Sequence, residues 1–354
     1  MGGGMEINMK SAYIPQFFCI VFILFLLLIV NQSNASERRD TLVYRPYRDT
    51  VKLARAQVYE LNNSTSLLYY KPRAFEFARN VPSDFVRFFK ISFRKNNLPK
   101  LGIILGGTAI LIAYDQQILD ATQQFGRYLN IDPERKSKNV LDLKLGGFRV
   151  PLLDIPQNLN STIYFIGEGW PSIVIAGSFY GYGAIAKDYR ALQTSSQLAE
   201  MFITLAVTTQ FIKRITGRES PFQATERGGR WRPFPNPGEY QKNVSHFDAF
   251  PSGHLATVMA TITILSGNYP DNRYIKPVGY SIMGLVGFSM MNNGVHWISD
   301  YPLALAIGYT YGKIAVSRGH MVLPKRLSGF ANSSTIMPIL IGKDGFGLSY
   351  RYTF

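Results

Sequence analysis

Six apolar stretches dominate the middle and C-terminal parts of this chain: Leu101–Tyr114, Thr162–Tyr182, Leu198–Ile212, His254–Leu265, Val278–Met291 and Tyr301–Val316. Their length and the scarcity of strict apolar/polar alternation predict helices rather than strands. Most run near 15 residues, short of the roughly 20 a bilayer crossing needs. The pattern therefore fits a soluble helical bundle or a tilted membrane bundle with polar extensions, with membrane association the preferred reading. The longest stretch carries Glu168 and Pro171 inside it. Upstream, Ser83 is placed to cap a basic amphipathic helix over Asp84–Lys95, whose Phe85, Phe88, Phe89 and Phe93 fall near one face. Such a face suits a membrane interface or ordinary core packing.

Both ends break the helical pattern. Lys10 precedes the apolar run Phe17–Val30 and the small-residue site Ser33-Asn34-Ala35. This is the layout of a secretory signal peptide over residues 1–35, or of an uncleaved anchor helix. Residues 36–80 are polar and basic with scattered tyrosines, and read as a weakly structured surface segment. At the other end Phe346, Leu348, Tyr350, Tyr352 and Phe354 alternate with small or polar residues after Lys343-Asp344-Gly345. That predicts a β-hairpin with Thr335–Ile341 as partner strand. The expected organisation is thus 1–35 signal peptide, 36–96 polar and amphipathic segment, 97–320 helical domain, and 328–354 terminal hairpin. Export to the periplasm or cell envelope follows, and a terminal strand ending in Phe also suits an outer membrane.

Composition narrows the partners. The formal net charge is +15 over 354 residues, without the basic-aromatic repeats or motifs of nucleic-acid binding. In an exported chain that charge suits an anionic membrane surface or substrate. The only cysteine, Cys19, lies in the N-terminal apolar run, so the rest has no disulfide or thiolate chemistry. No zinc-protease or paired-cysteine motif and no dinucleotide glycine fingerprint is present, so no metal, cofactor or protein partner is expected.

Three clusters carry candidate chemistry. In Pro251-Ser252-Gly253-His254, ahead of an apolar helix, Ser252 suits an N-cap and Gly253 allows close approach of a ligand to the backbone. Helix-start N–H groups and dipole favour phosphate, and His254 would stand by to protonate a leaving oxygen. His296 and Asp300 are four residues apart, which on a helix places them on one face. A carboxylate accepting from Nδ1–H leaves Nε2 free to attack, although the same spacing also occurs in core His–Asp pairs. At the end of the third apolar segment, Lys213 and Arg218 are placed to neutralise phosphate oxygens or simply to complement a helix C-terminus. The Pro/Gly-rich stretch Glu219–Phe250, with Arg227, Arg230, Arg232 and Lys242, reads as a lid or substrate-facing loop.

Together these clusters resemble the signature of the type 2 phosphatidic acid phosphatase superfamily, which includes bacterial acid phosphatases and vanadium haloperoxidases. The pattern is K-x6-R-P, then P-S-G-H, then S-R-x5-H-x3-D. Lys213, Pro221, Ser252, Gly253, His254, Ser289, His296 and Asp300 match; Ser220 and Met290 stand where the family has arginines. The resemblance implies a mainly α-helical bundle and a phosphatase in which His296 forms a phosphohistidine, His254 protonates the leaving group and Asp300 orients His296. It also implies that Lys213, the Ser252–Gly253 turn and, in place of a lost arginine, Arg218 hold the phosphate. The substrate would be a phosphorylated lipid, an isoprenoid or lipid diphosphate, or a small phosphate ester. Two alternatives remain open: a catalytically weakened binding or structural module of the same fold, and a vanadate-holding haloperoxidase.

Overall fold

A computed structural model describes residues 56–61, 65–134, 136–145, 148–324, 335–341 and 345–351. The expected signal segment lies outside them, as do residues 36–55. Helices α1 (Glu76–Ser92) and α2 (Leu98–Tyr128) are followed by the hairpin β3 (Ser137–Leu145) and β4 (Phe148–Pro156). Then come α3 (Leu159–Gly167), α4 (Gly169–Ile185), α5 (Tyr189–Thr216), the short α6 (Pro237–Lys242), α7 (Gly253–Asn268), α8 (Ile275–Asn292) and α9 (Tyr301–Gly319). A mainly α-helical bundle with a small C-terminal β element results.

Helix α7 lies at the bundle's centre and packs on α5, α8 and α9. Its Leu255, Met259 and Ile264 are each about 1% exposed or less, as are Leu198 and Met201 of α5, Val286 and Met290 of α8, and Ala304 and Ile307 of α9. Gly308 and Gly312 of α9 allow the close approach to α7. A side chain at Gly308 would overlap the backbone carbonyl of Ala256, and one at Gly312 would meet the Thr263 side chain at 2.7 Å.

The predicted helices are present, with changes that have local causes. The Thr162–Tyr182 stretch is two helices, because Glu168 adopts an extended backbone (φ −66°, ψ 163°) between Gly167 and Gly169. The first stretch grows into the 31-residue α2, since the polar residues after Tyr114 continue the helix. With the turn before it, Lys95–Tyr128 is the one helix among the described residues long and apolar enough to cross a membrane. Ile103, Leu105, Ile110 and Tyr114 on it are exposed. Helix α1 starts earlier than expected, so Ser83 lies inside it and donates to the Asn80 carbonyl at 2.8 Å instead of capping the start.

Residues 36–80, expected to be weakly structured, are ordered in their described part. Strand β1 (Ala56–Glu60) pairs antiparallel with β2 (Thr65–Tyr70), and β2 pairs with β5 (His320–Pro324) in the register Leu67↔Val322. Leu67, Leu68 and Tyr69 are buried, and the Tyr69 hydroxyl donates to the Asn268 carbonyl at 3.1 Å. The sheet therefore ties the N-terminal segment to the end of α7. The predicted C-terminal hairpin is present as β6 (Thr335–Ile341) and β7 (Gly345–Arg351), paired Thr335↔Arg351 through Ile341↔Gly345.

Candidate active site

Three chain reversals assemble the site. Helix α5 ends at Gly217, which takes a left-handed conformation (φ 56°, ψ 47°) that only glycine adopts freely. A Cβ there would overlap the Arg232 carbonyl. Helix α8 ends at Asn292-Asn293-Gly294, with Gly294 at φ 65°, and the Val295 N–H returns to the Met290 carbonyl at 2.8 Å. This reversal sends His296 back into the bundle. Before α7, Ser252 accepts from the Leu255 N–H at 3.4 Å as N-cap, and its own N–H donates to the Asp300 carbonyl at 3.1 Å. That last bond ties the Ser252–Gly253 turn to the His296–Asp300 segment.

The two histidines meet. The rings of His254 and His296 lie edge to face with centroids 5.8 Å apart. Tyr164 of α3 packs its ring 4.8 Å from that of His254. Behind His296, Asp300 Oδ2 lies 3.3 Å from Nδ1 and accepts the Trp297 N–H at 2.8 Å. The four-residue spacing works here through a 3-10 turn, Ile298–Asp300, rather than an α-helix. His296 is 2% exposed and Asp300 wholly buried.

A cavity of about 420 Å³ opens beside this pair, between the α3–α4 break, α5 and the start of α7. Lys213, Gly253 and His254 line it with Glu168, Trp170, Phe202 and Gln210. His296 is not among its lining residues. Lys213 is the one cation among the described lining residues, and its Nζ is 3.4 Å from Asp248 Oδ2.

Arg218, expected beside the phosphate, is elsewhere. The Gly217 turn drives it into the interior, where it is fully buried. Its Nη1 donates to Asp300 Oδ1 at 2.7 Å and to Ser299 Oγ at 2.6 Å; its Nη2 donates to Asp115 Oδ2 at 2.5 Å and to the Gly228 carbonyl at 2.7 Å. The Trp231 and Trp297 rings lie 4.7 and 5.2 Å from its guanidinium carbon.

The stretch Glu219–Phe250, expected to be a lid, contributes no residue to the cavity wall. It is packed around the buried Glu219. The carboxylate accepts N–H groups from Thr225 (2.9 Å) and Arg230 (3.0 Å) and pairs with Arg232 at 2.7 Å. Burial opposes its ionisation, but these hydrogen bonds outweigh it and hold the carboxyl below the usual glutamate range. Arg232 is thereby occupied, and Arg227 and Arg230 are exposed to solvent.

The family position of Ser220 is filled by a buried serine whose N–H donates to the Ser245 carbonyl, and that of Met290 by a fully buried thioether. The other two histidines lie apart from the site. His246 faces Glu219 at 3.6 Å, and His320 packs against Tyr69 in the sheet, where burial lowers its pKa to about 4.

Residues 194–321 match the PAP2 superfamily, the type 2 phosphatidic acid phosphatases. Over that segment the chain belongs to the PAP2 superfamily. No curated protein and no solved structure matches the chain. The PAP2 segment runs from the first turns of α5 into β5 and so contains Lys213, Arg218, the Ser252–His254 turn, His296 and Asp300. It brings this segment into a hydrolase superfamily that acts broadly on phosphomonoesters and diphosphates. Asp115 of α2 lies outside the segment and was not singled out from sequence, because a lone aspartate after an apolar run reads as the end of a buried stretch. Glu168 and Trp170, also outside it, share their wall of the cavity with no sequence motif.

Proposed function

We propose that this protein is an exported, membrane-associated phosphatase that hydrolyses a phosphomonoester or diphosphate through a phosphohistidine. The observation that carries the reading is the meeting of His254 and His296, with a buried aspartate at the far nitrogen of His296. Nε2 of His296 attacks phosphorus, the bond from phosphorus to the leaving oxygen breaks, and that oxygen takes a proton from His254. Asp300 keeps the proton on Nδ1 and stabilises the positive ring. Water then attacks the phosphohistidine, giving a proton to His254, and inorganic phosphate leaves. Lys213 and the Ser252–Gly253 turn hold the phosphoryl oxygens. Because the two rings stand edge to face, entry of a phosphate requires them to part. Catalytic hydrogen bonds that are long in a free enzyme, such as that of 3.3 Å from His296 to Asp300, commonly tighten in the substrate complex.

Membrane association is supported by α2 and by its exposed apolar side chains. Together with the partly apolar cavity wall of Trp170, Ile173, Phe202 and Leu205, it favours a lipid phosphate or an isoprenoid or lipid diphosphate as substrate. The organisation into signal segment, N-terminal segment, helical domain and terminal hairpin, with a destination in the periplasm or cell envelope, belongs to the same proposal. Phosphate release from such lipids in mixed micelles, compared with that of His296→Ala, tests it. Equal release from both proteins rejects it.

A second reading is favoured by one observation: Lys213 is the sole cation among the described residues lining the cavity, with serine and methionine at the two arginine positions. This suits a weakened enzyme or a binding module. Vanadate binding without phosphate release would select it.

A further inference from the structure

We propose that Arg218 and Asp115 are positioning residues for His296, acting through Asp300 to fix which imidazole nitrogen carries the proton. The inference rests on the reading of His296 as nucleophile. The two oxygens of Asp300 have divided duties. Oδ2 faces His296 Nδ1 and the Trp297 N–H, while Oδ1 is held by Arg218 Nη1 at 2.7 Å. A wholly buried carboxylate stays ionised only with a counter-charge and hydrogen bonds, and Arg218 provides both.

A single guanidinium paired with Asp300 alone would also draw that carboxylate's charge away from His296. Asp115, reaching in from α2, prevents this. It takes Nη2 at 2.5 Å, accepts the Ser299 N–H at 3.1 Å, and accepts the Ser299 hydroxyl at 2.6 Å. Ser299 Oγ in turn accepts from Arg218 Nη1, so it closes a ring of hydrogen bonds with Arg218 and Asp115, to which Asp300 is joined through Nη1. Two carboxylates compete for one guanidinium, so Arg218 offsets the charge of Asp300 only in part; burial pushes the Asp115 carboxyl up, and the Arg218 pair and the Ser299 hydrogen bond oppose that shift. The charge left on Asp300 favours an Nδ1–H directed at it, an unprotonated Nε2, and the positive imidazole of the phosphorylated state. The tryptophan faces on Arg218 keep the guanidinium from rotating away. The guanidinium fork is required because an ammonium cannot serve both carboxylates in this geometry.

The test uses the full chain labelled with 15N-histidine, in its resting form, as wild type, Asp115→Asn and Arg218→Lys. Two-bond 15N–1H correlations identify the His296 tautomer without any substrate. The wild type is expected to hold the proton on Nδ1. In either variant a mixture with the Nε2–H form is expected, with kcat lowered by about tenfold or more and KM little changed, the pattern of a group that acts only in the transition state. One folded variant suffices, and Asp115→Asn is nearly isosteric. A folded variant with the wild-type tautomer and wild-type kcat overturns the inference and leaves a structural strut. If the wild type releases no phosphate, the phosphatase reading fails, and the tautomer comparison still decides the role of the cluster.

Discussion

Met290 presents its sulfur to the hydroxyl of Ser252 at 3.7 Å. The thioether therefore occupies the space beside the turn proposed to bind phosphate, where the family carries an arginine. A charge-assisted hydrogen bond contributes about 1.5–3 kcal/mol, which corresponds to about one to two powers of ten in rate. Met290→Arg is expected to raise kcat/KM by about tenfold or more, at a cost of about 3 kcal/mol or more in stability because a charge enters a position closed to solvent. Steady-state kinetics and thermal melting on the same preparation check both.

Lys213 is expected to act mainly on substrate binding and on charge stabilisation. Lys213→Met, which keeps much of the buried stem, should lower kcat/KM by about ten- to a hundredfold. It also leaves Asp248 without its cation, so melting should be measured alongside.

Much of the helical architecture was legible in the sequence because long apolar runs report helices locally. The hairpin β3–β4 has a local signal too: Leu141, Leu143 and Leu145 alternate with Asp142 and Lys144 ahead of Gly146-Gly147. The sheet β1–β2–β5 had none, since it joins residues 65–69 to 320–324 and long-range pairing leaves little local trace. The proximity of His296 and Asp300 was readable from their four-residue spacing, and the helix start at Gly253–His254 from Pro251-Ser252-Gly253. The interior position of Arg218 was not, because counting positions ignores the left-handed turn at Gly217 that points it inward. Asp115 was hidden because its partner lies 103 residues away.

Gly217→Ala tests that turn. The strain of a left-handed alanine, about 1–2 kcal/mol, adds to the overlap with the Arg232 carbonyl. A loss of at least about 2 kcal/mol is expected. Because the turn aims Arg218, activity should fall even at temperatures where the variant remains folded.

Glu200 and Asp84 form a buried acidic pair beside Arg318, and Asn80 donates to Glu200 at 2.6 Å. Burial, with Asp84 adding to it, pushes the Glu200 carboxyl up to about 8. The folded protein thus holds a proton that the unfolded chain loses near the ordinary glutamate value. Stability from this group is complete at acid pH and declines as pH rises from the ordinary glutamate range towards 8. His320 has the opposite sign: burial lowers its pKa, so its contribution is present above about 6.5 and is lost as pH falls towards 4. Between about 4.5 and 6.5 the two slopes oppose each other, so melting temperatures should be nearly level there and fall as pH rises from about 6.5 towards 8. Glu200→Gln should remove the alkaline fall and uncover the acid limb of His320.

The most direct test of the central claim is chemical trapping. Wild-type protein mixed with a radiolabelled lipid phosphate or isoprenoid diphosphate is quenched in alkali, which preserves phosphohistidine, and is then mapped by peptide mass spectrometry. The account predicts label on His296, absent from His296→Ala and accumulating in His254→Ala when the substrate's leaving group needs no proton. Phosphate release by the wild type with no label on His296, or with label on another residue, contradicts it.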